Sequence, residues 1–87
     1  MTLTKYFEKI AKKKGVGIML IRKYFAKKLN KSESLLYKWE TYEREPRVGE
    51  LHDLHILLKQ NGFDVDLVNL FWKEKKQNGL RKKTDTM

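Results

Sequence analysis

The segment from Asn30 to Pro46 is the part of this chain that most limits its fold. It reads NKSESLLYKWETYEREP and follows an apolar run that has the periodicity of a helix. Asn30 tolerates the left-handed backbone conformation that a tight turn after a helix requires, and Ser32 is a favourable N-cap for a second helix. Pro46 stops helix propagation upstream of it. Two helices joined by such a short turn form a helix-turn-helix unit, which the sequence predicts at about 20–42.

Apolar residues at helical spacing predict five helices and no strands, in a single compact all-α domain over residues 1–77. A chain of 87 residues is long enough for one such domain with a modest core. Residues 78–87 are basic and contain few apolar residues, so we expect a disordered tail there. The predicted helices are Thr4–Lys14, Ile18–Leu29, Glu33–Tyr42, Gly49–Gln60 and a fifth that Asp64 or Asp66 caps and that ends near Gln77. The residues expected to face the core are Leu3, Phe7, Ile10, Ala11, Ile18, Ile21, Phe25, Leu29, Leu36, Trp39, Leu51, Leu54, Leu57 and Leu58.

The residues around the predicted turn also carry a family pattern. The pattern is an Ala in the second helix, a Gly at the turn, a Ser or Thr cap, an Ile, an aromatic-Glu or Ile-Glu pair, and a Pro six residues after the Glu. The matching positions are Ala26, Asn30, Ser32, Leu36, Trp39-Glu40 and Pro46. Over roughly residues 20–60 the chain therefore resembles the Xre-like family, the Cro/repressor-type helix-turn-helix regulators of phages and bacteria. The family usually has Gly two residues after the Glu, where this chain has Tyr42. The resemblance implies a lambda-repressor-like arrangement of the helices.

The resemblance also implies which residues would read DNA. In the family, the first, second, fifth and sixth residues of the third helix meet base edges in the major groove. Here these residues form what we call the reader face: Glu33, Ser34, Tyr37 and Lys38. Lys38 can donate to guanine O6 and N7, Glu33 can accept from cytosine N4, and Tyr37 can touch a thymine methyl group. The alternative for each is an ordinary solvated helix surface. The family further implies that Glu40 pairs with a basic residue of the first helix, for which the candidates are Lys9, Lys12 and Lys13.

The charge is strongly basic and unevenly distributed. The net charge is +9, and residues 1–30 hold nine Lys/Arg and one Glu, whereas residues 31–66 hold five Lys/Arg and eight Asp/Glu. Residues 67–87 hold six Lys/Arg and two Asp/Glu. Basic surfaces that flank a reader helix are typical of phosphate-backbone contacts, although lysine-rich helix faces also serve solubility alone. The candidate backbone contacts are Arg22, Lys23, Lys31, Arg44 and Arg47.

The predicted fifth helix is more apolar than one buried stripe requires. Its excess apolar residues predict a contact surface, and the candidate dimer contacts are Phe71 and Trp72. A homodimer would place two reader helices at half-sites about 34 Å apart. The alternative is that a small domain uses all of these residues for its own core.

No set of residues indicates catalysis or a cofactor. The chain has no cysteine, no phosphate-binding glycine loop and no HExxH motif, so we expect neither an enzyme nor a bound cofactor. His52 and His55 lie three residues apart on the predicted fourth helix, but no third His or any Cys completes a metal site. No apolar run approaches the roughly 20 residues that span a bilayer, and we expect a cytoplasmic protein.

The sequence therefore predicts a sequence-specific, double-stranded DNA-binding transcriptional regulator of phage or mobile-element type. One alternative is a protein-interaction module, similar to an antitoxin or an antirepressor partner, that would use Leu35, Tyr37 and Tyr42 as its contact face. Another is a nonspecific nucleic-acid binder. Single-strand recognition usually needs exposed stacking aromatics, and most aromatic residues here are expected in the core.

Overall fold

A computed structural model of the chain describes residues 2–71, which form an all-helical domain. The four complete helices are α1 (Leu3–Lys14), α2 (Ile18–Leu29), α3 (Glu33–Glu40) and α4 (Val48–Gln60). A fifth helix, α5, begins at Leu67 and is described as far as residue 71. The prediction of an all-α fold with five helices is confirmed, and no strand occurs within residues 2–71. The predicted end of α5 near Gln77, the contact residue Trp72 and the tail 78–87 lie outside the described residues.

The turn between α2 and α3 forms as its residue types dictate. Asn30 adopts a φ of 56° and a ψ of 46°, which is the left-handed conformation predicted for it. Its neighbour Lys31 donates its backbone N–H to the carbonyl of Ala26 at 2.9 Å, which closes the end of α2. The Ser32 hydroxyl then accepts the backbone N–H of Leu35 at 3.1 Å and caps the start of α3. These two local hydrogen bonds define the turn by which α3 leaves α2.

The predicted end of α3 at Tyr42 is wrong by two residues. α3 ends at Glu40, and Tyr42 takes a left-handed φ of 60°. The backbone N–H of Glu43 donates to the carbonyl of Lys38 at 3.0 Å, so the chain reverses and leaves the helix. Tyr42 thus holds the conformation that glycine usually provides, and its ring packs edge-on against Phe71 with the ring centroids 5.7 Å apart.

The starts of the last two helices are set by carboxylates. The Glu50 carboxylate accepts the backbone N–H of Arg47 at 2.8 Å, and α4 begins at Val48, one residue before the predicted start. Asp66 accepts the backbone N–H of Asn69 at 3.2 Å at the start of α5, as predicted for a capping Asp. Within residues 2–71, no helix has both the length and the apolar content that crossing a bilayer requires.

The core lies where α2 packs against α1, α3 and α4. At its centre the rings of Phe7 and Phe25 stack at a tilt with their centroids 4.7 Å apart. Three residues predicted to face the core, Ile18, Leu29 and Leu51, lie at its edge and are only partly buried. The fully enclosed side chains include most of the predicted set: Leu3, Phe7, Ile10, Phe25, Leu36, Trp39, Leu54 and Leu58.

Candidate nucleic-acid interface

One side of α3 is exposed and the other is anchored in the core. The four reader-face residues are all exposed, and the Tyr37 side chain retains 54% of its accessible surface. The opposite side carries Leu36 and Trp39, which are buried as predicted. Because residues three and four apart share a helix face, this division follows directly from their spacing. The helix therefore presents four polar or amphipathic side chains from a rigid support.

Glu40 is the charged residue of this support, and its partners differ from those predicted. It is only 5% exposed, and within residues 2–71 it forms no ion pair with Lys9, Lys12 or Lys13. Arg22 of α2 donates from Nε to Oε2 and from Nη2 to Oε1, the latter at 3.0 Å. The Thr4 hydroxyl of α1 donates to Oε1 at 3.0 Å. A buried carboxylate needs partners of this kind, and the planar fork of arginine satisfies both of its oxygens, which a lysine ammonium does not do.

Arg22 is therefore placed differently from the exposed phosphate contact that was predicted. Its side chain is largely buried against Glu40, and the hydrogen bond to Glu40 raises the pKa of its guanidinium against the opposing effect of burial. The guanidinium also lies over the ring of Tyr37, with Cζ 5.2 Å from the ring centroid. One residue of α2 thus contacts both the buried and the exposed side of α3.

A sequence signal for this placement exists in α2. Arg22 lies four residues after Ile18 and three before Phe25, which puts it inside the apolar stripe of α2 rather than on its solvated face. A basic residue within a core-facing stripe needs a buried anion, and Glu40 is the buried acidic residue among residues 2–71.

Three of the predicted backbone contacts meet at one cleft beside α3. Lys31, Arg44 and Arg47 line a cleft of about 290 Å³, together with Glu45 and Glu50. Lys31 Nζ lies 2.8 Å from the Glu50 carboxylate. The backbone N–H of Arg47, followed by Lys31, lowers the pKa of Glu50. The cleft consequently carries three cations and two carboxylates, so its attraction for phosphate is weaker than its lysine and arginine content alone indicates.

Lys23, the remaining predicted backbone contact, is exposed on α2.

The predicted dimer contact at Phe71 is wrong, because this side chain is only 3% exposed and belongs to the core. The exposed apolar residues of this region are instead Val48, at 85% exposure, and Val68, at 65%. Both line a groove of about 620 Å³ between the start of α4 and α5. We call this the α4–α5 groove; its remaining lining residues are Leu51, His52, His55, Asp64, Asp66 and Leu67.

The two histidines of this groove do not converge on a metal centre. His55 donates from Nδ1 to the carbonyl of Val65 at 2.9 Å, and its Nε2 lies 3.5 Å from the Asp64 carboxylate. His52 is exposed. Across residues 2–71, no group of three or more His, Cys, Asp or Glu side chains could hold a metal ion. The role of His55 that the contacts support is structural, since it ties the loop before α5 to α4.

In comparisons with known proteins, no family model matches the chain, and no curated protein or solved structure matches it either.

Proposed function

We propose that this protein is a sequence-specific, double-stranded DNA-binding transcriptional regulator that reads the major groove with α3. The observation that carries the proposal is the division of α3 into an anchored side and an exposed side. Glu33, Ser34, Tyr37 and Lys38 project from a helix whose opposite side is held by the core and by Arg22. The chain's resemblance to the Xre-like family supports the same role and the phage or mobile-element type of regulator.

The shape and chemistry of α3 suit this task. The B-DNA major groove is about 12 Å wide and admits one α-helix. α3 is eight residues long, and it begins directly after the turn that follows α2. Lys38 offers donors, Glu33 offers acceptors, and Tyr37 offers an apolar surface for a thymine methyl group.

The charge distribution supports affinity that does not depend on base sequence. The excess of Lys and Arg over residues 1–30 is carried mostly by exposed side chains of α1 and α2. Neutralising phosphates with such side chains releases counterions, so binding weakens steeply as salt rises. Base contacts by the reader face would then supply the selectivity.

The experiment that tests the proposal is selection of bound fragments from a genomic DNA library by the purified protein at about 150 mM salt, because salt sets the nonspecific background. The selection is repeated with Lys38→Ala and Tyr37→Ala. We expect one enriched sequence or inverted repeat, and we expect each substitution to reduce its preference over unrelated DNA by about 1–3 kcal/mol.

The matched control is Lys59→Ala, which removes one exposed positive charge from the last turn of α4, away from the reader face. It should weaken binding to all sequences slightly and leave the enriched sequence unchanged. Recovery of no enriched sequence, with binding that disappears as salt rises, would contradict a specific regulator.

A second candidate function is a protein-interaction module that uses the same region. Residues 31–66 hold eight acidic and five basic residues, and Glu45 and Glu50 stand in the cleft beside α3. This local acidity favours a protein partner over DNA. Two of its predicted contact residues, Leu35 and Tyr42, are partly buried, which leaves Tyr37 as the exposed one. Affinity for duplex DNA that is weak and unaffected by Lys38→Ala would favour this candidate.

A further inference from the structure

We propose that Arg22 is a positioning residue that fixes the ring of Tyr37 on the reader face and thereby contributes to sequence discrimination without touching a base. This inference rests on the proposed function. It assigns to Arg22 a role different from phosphate binding, because its guanidinium is already engaged on two sides.

The guanidinium of Arg22 is held in a fixed position by Glu40. Glu40 receives two hydrogen bonds from Arg22 and one from Thr4, and all three residues come from different helices. The carboxylate is almost fully buried, so its bonds do not compete with water. Two parallel bonds to one carboxylate fix the plane of the guanidinium as well as its location.

The fixed guanidinium plane lies against the ring of Tyr37. Arg22 Cζ lies 5.2 Å from the centroid of the Tyr37 ring, within the range at which the face of an aromatic ring attracts a cation. More than half of the Tyr37 surface remains open to solvent. An exposed tyrosine on a helix would otherwise move among rotamers, and here one side of its ring already has a partner.

A Tyr37 ring that is ordered before binding would help the protein to discriminate its DNA site from unrelated DNA. Immobilising one free side chain at an interface lowers a binding constant by about two- to tenfold. A ring that is ordered before binding avoids that loss when it meets a thymine methyl group at the correct site. It gains nothing on unrelated DNA, where no such methyl group stands opposite it. Arg22 would therefore act on the ratio of specific to nonspecific affinity.

The substitution Arg22→Lys distinguishes this positioning role from an effect of positive charge alone. Arg22→Lys keeps the positive charge beside Glu40, but it removes the two-pronged bond and the flat surface that stacks on the ring. Tyr37→Leu removes the ring and leaves the Arg22–Glu40 pair intact. The two single variants and the double variant form a thermodynamic cycle that isolates the coupling between the two side chains.

The experiment measures, for the full chain and these three variants, the binding constants for the selected DNA sequence and for an unrelated duplex of the same length and salt. We expect Arg22→Lys to lower the ratio of the two constants about two- to tenfold in the presence of Tyr37. In the Tyr37→Leu background, the same change should alter the ratio by less than about twofold, the usual limit of additivity.

Equal effects of Arg22→Lys in both backgrounds would overturn the inference, because Arg22 would then act only by supporting the fold. An unchanged ratio in the first background would also overturn it. If the wild-type protein itself shows no preference between the two duplexes, the proposed function fails and the inference fails with it. A clear wild-type preference without coupling between Arg22 and Tyr37 would overturn the inference alone.

A measurement on the free wild-type protein keeps the inference testable if Arg22→Lys does not fold. NMR should show contacts between the Tyr37 ring protons and the Arg22 side chain, with the Arg22 protons shifted upfield by the ring. Their absence would overturn the inference whatever the DNA result.

The matched control is Lys28→Met, which removes another cation–ring contact from α2, since Lys28 Nζ lies 5.9 Å from the Tyr24 centroid. That contact does not involve α3, so the ratio of specific to nonspecific binding should not change.

Discussion

Two residues other than glycine hold a left-handed backbone within residues 2–71, and each ends a helix of the helix-turn-helix unit. Asn30 does so in the turn before α3, and Tyr42 does so just after α3. The left-handed region costs an ordinary residue about 1–2 kcal/mol, which asparagine partly avoids through its short polar side chain. Tyr42 has a large aromatic side chain instead, and its ring packs edge-on against Phe71.

Asn30 therefore allows a direct test of the turn. Its side chain is exposed, so a substitution changes little except the backbone preference. We expect Asn30→Ala to lower the free energy of unfolding by about 1 kcal/mol and Asn30→Gly to leave it within about 0.5 kcal/mol, since glycine adopts a positive φ without strain. Urea unfolding measures both. Lys27→Ala, at an exposed position inside α2, is the control and should have little effect. An equal loss for Ala and Gly would show that the turn depends on the Asn side chain itself.

The sequence predicted Asn30 and Ser32 correctly because a turn and an N-cap depend on chemistry within a few residues. It did not predict the left-handed Tyr42, because glycine and asparagine are the residues that usually adopt this conformation, and the Phe71 ring that packs on Tyr42 is distant in sequence. The sequence also did not predict the Arg22–Glu40 pair, again because the contact is not local. Its partners are 18 residues apart, and only the packing of α2 against α3 brings them together.

At the scale of helices, α3 is short, and its stability comes from what surrounds it. Eight residues make barely two helical turns, and isolated helices of fewer than roughly 12 residues are marginal in water. α3 is held by the Ser32 cap at its start, by Leu36 and Trp39 on its buried side, and by Glu40 at its end. The helix boundaries predicted from periodicity were accurate for α1 and α2, whereas the end of α3 depended on tertiary contacts.

The two serines at the start of α3 form a natural pair of variants. Ser32→Ala removes the hydroxyl that accepts the Leu35 N–H, and we expect it to lower the free energy of unfolding by about 1 kcal/mol. Ser34→Ala lies inside the helix and is exposed. It should be neutral or raise stability by up to about 0.5 kcal/mol, because alanine has the higher helix propensity. Thermal unfolding followed by circular dichroism compares the two. A larger loss for Ser34→Ala than for Ser32→Ala would contradict the assigned cap.

At the scale of the molecule, the basic helices and the α4–α5 groove lie on different parts of the sequence. Most of the positive charge of the described residues belongs to α1 and α2, whereas the exposed Val48 and Val68 belong to α4 and α5. Because Phe71 is buried, we expect the predicted homodimer to use exposed apolar residues instead, and Val48 and Val68 of the groove are candidates. Composition alone does not separate a core residue from a contact residue in an apolar helix. For this reason the sequence predicted Phe71 as a dimer contact, although its side chain lies in the core.

A charged substitution in the groove tests the dimer. We expect Val68→Asp to lower the association constant of the dimer by about fivefold or more, because a carboxylate left in an apolar contact costs at least about 1 kcal/mol to desolvate. The fold should persist, since the side chain is mostly exposed. Analytical ultracentrifugation over a range of concentrations measures the constant. Ile56→Asp, at an exposed apolar position of α4 that does not line the groove, is the control. A wild-type protein that is monomeric at every concentration would contradict the predicted homodimer.

The tie from Glu40 to α1 and α2 has a consequence for protein engineering. A designer who wished to move the proposed reader face to another scaffold would ordinarily copy only the four exposed residues of α3. Here the carboxylate at the end of α3 is bound by Thr4 and Arg22, and Arg22 also supports Tyr37 from below. The smallest unit to transfer is therefore α3 together with Arg22 of α2. A graft without Arg22 would present the four exposed residues but would lack the side chain that contacts the Tyr37 ring.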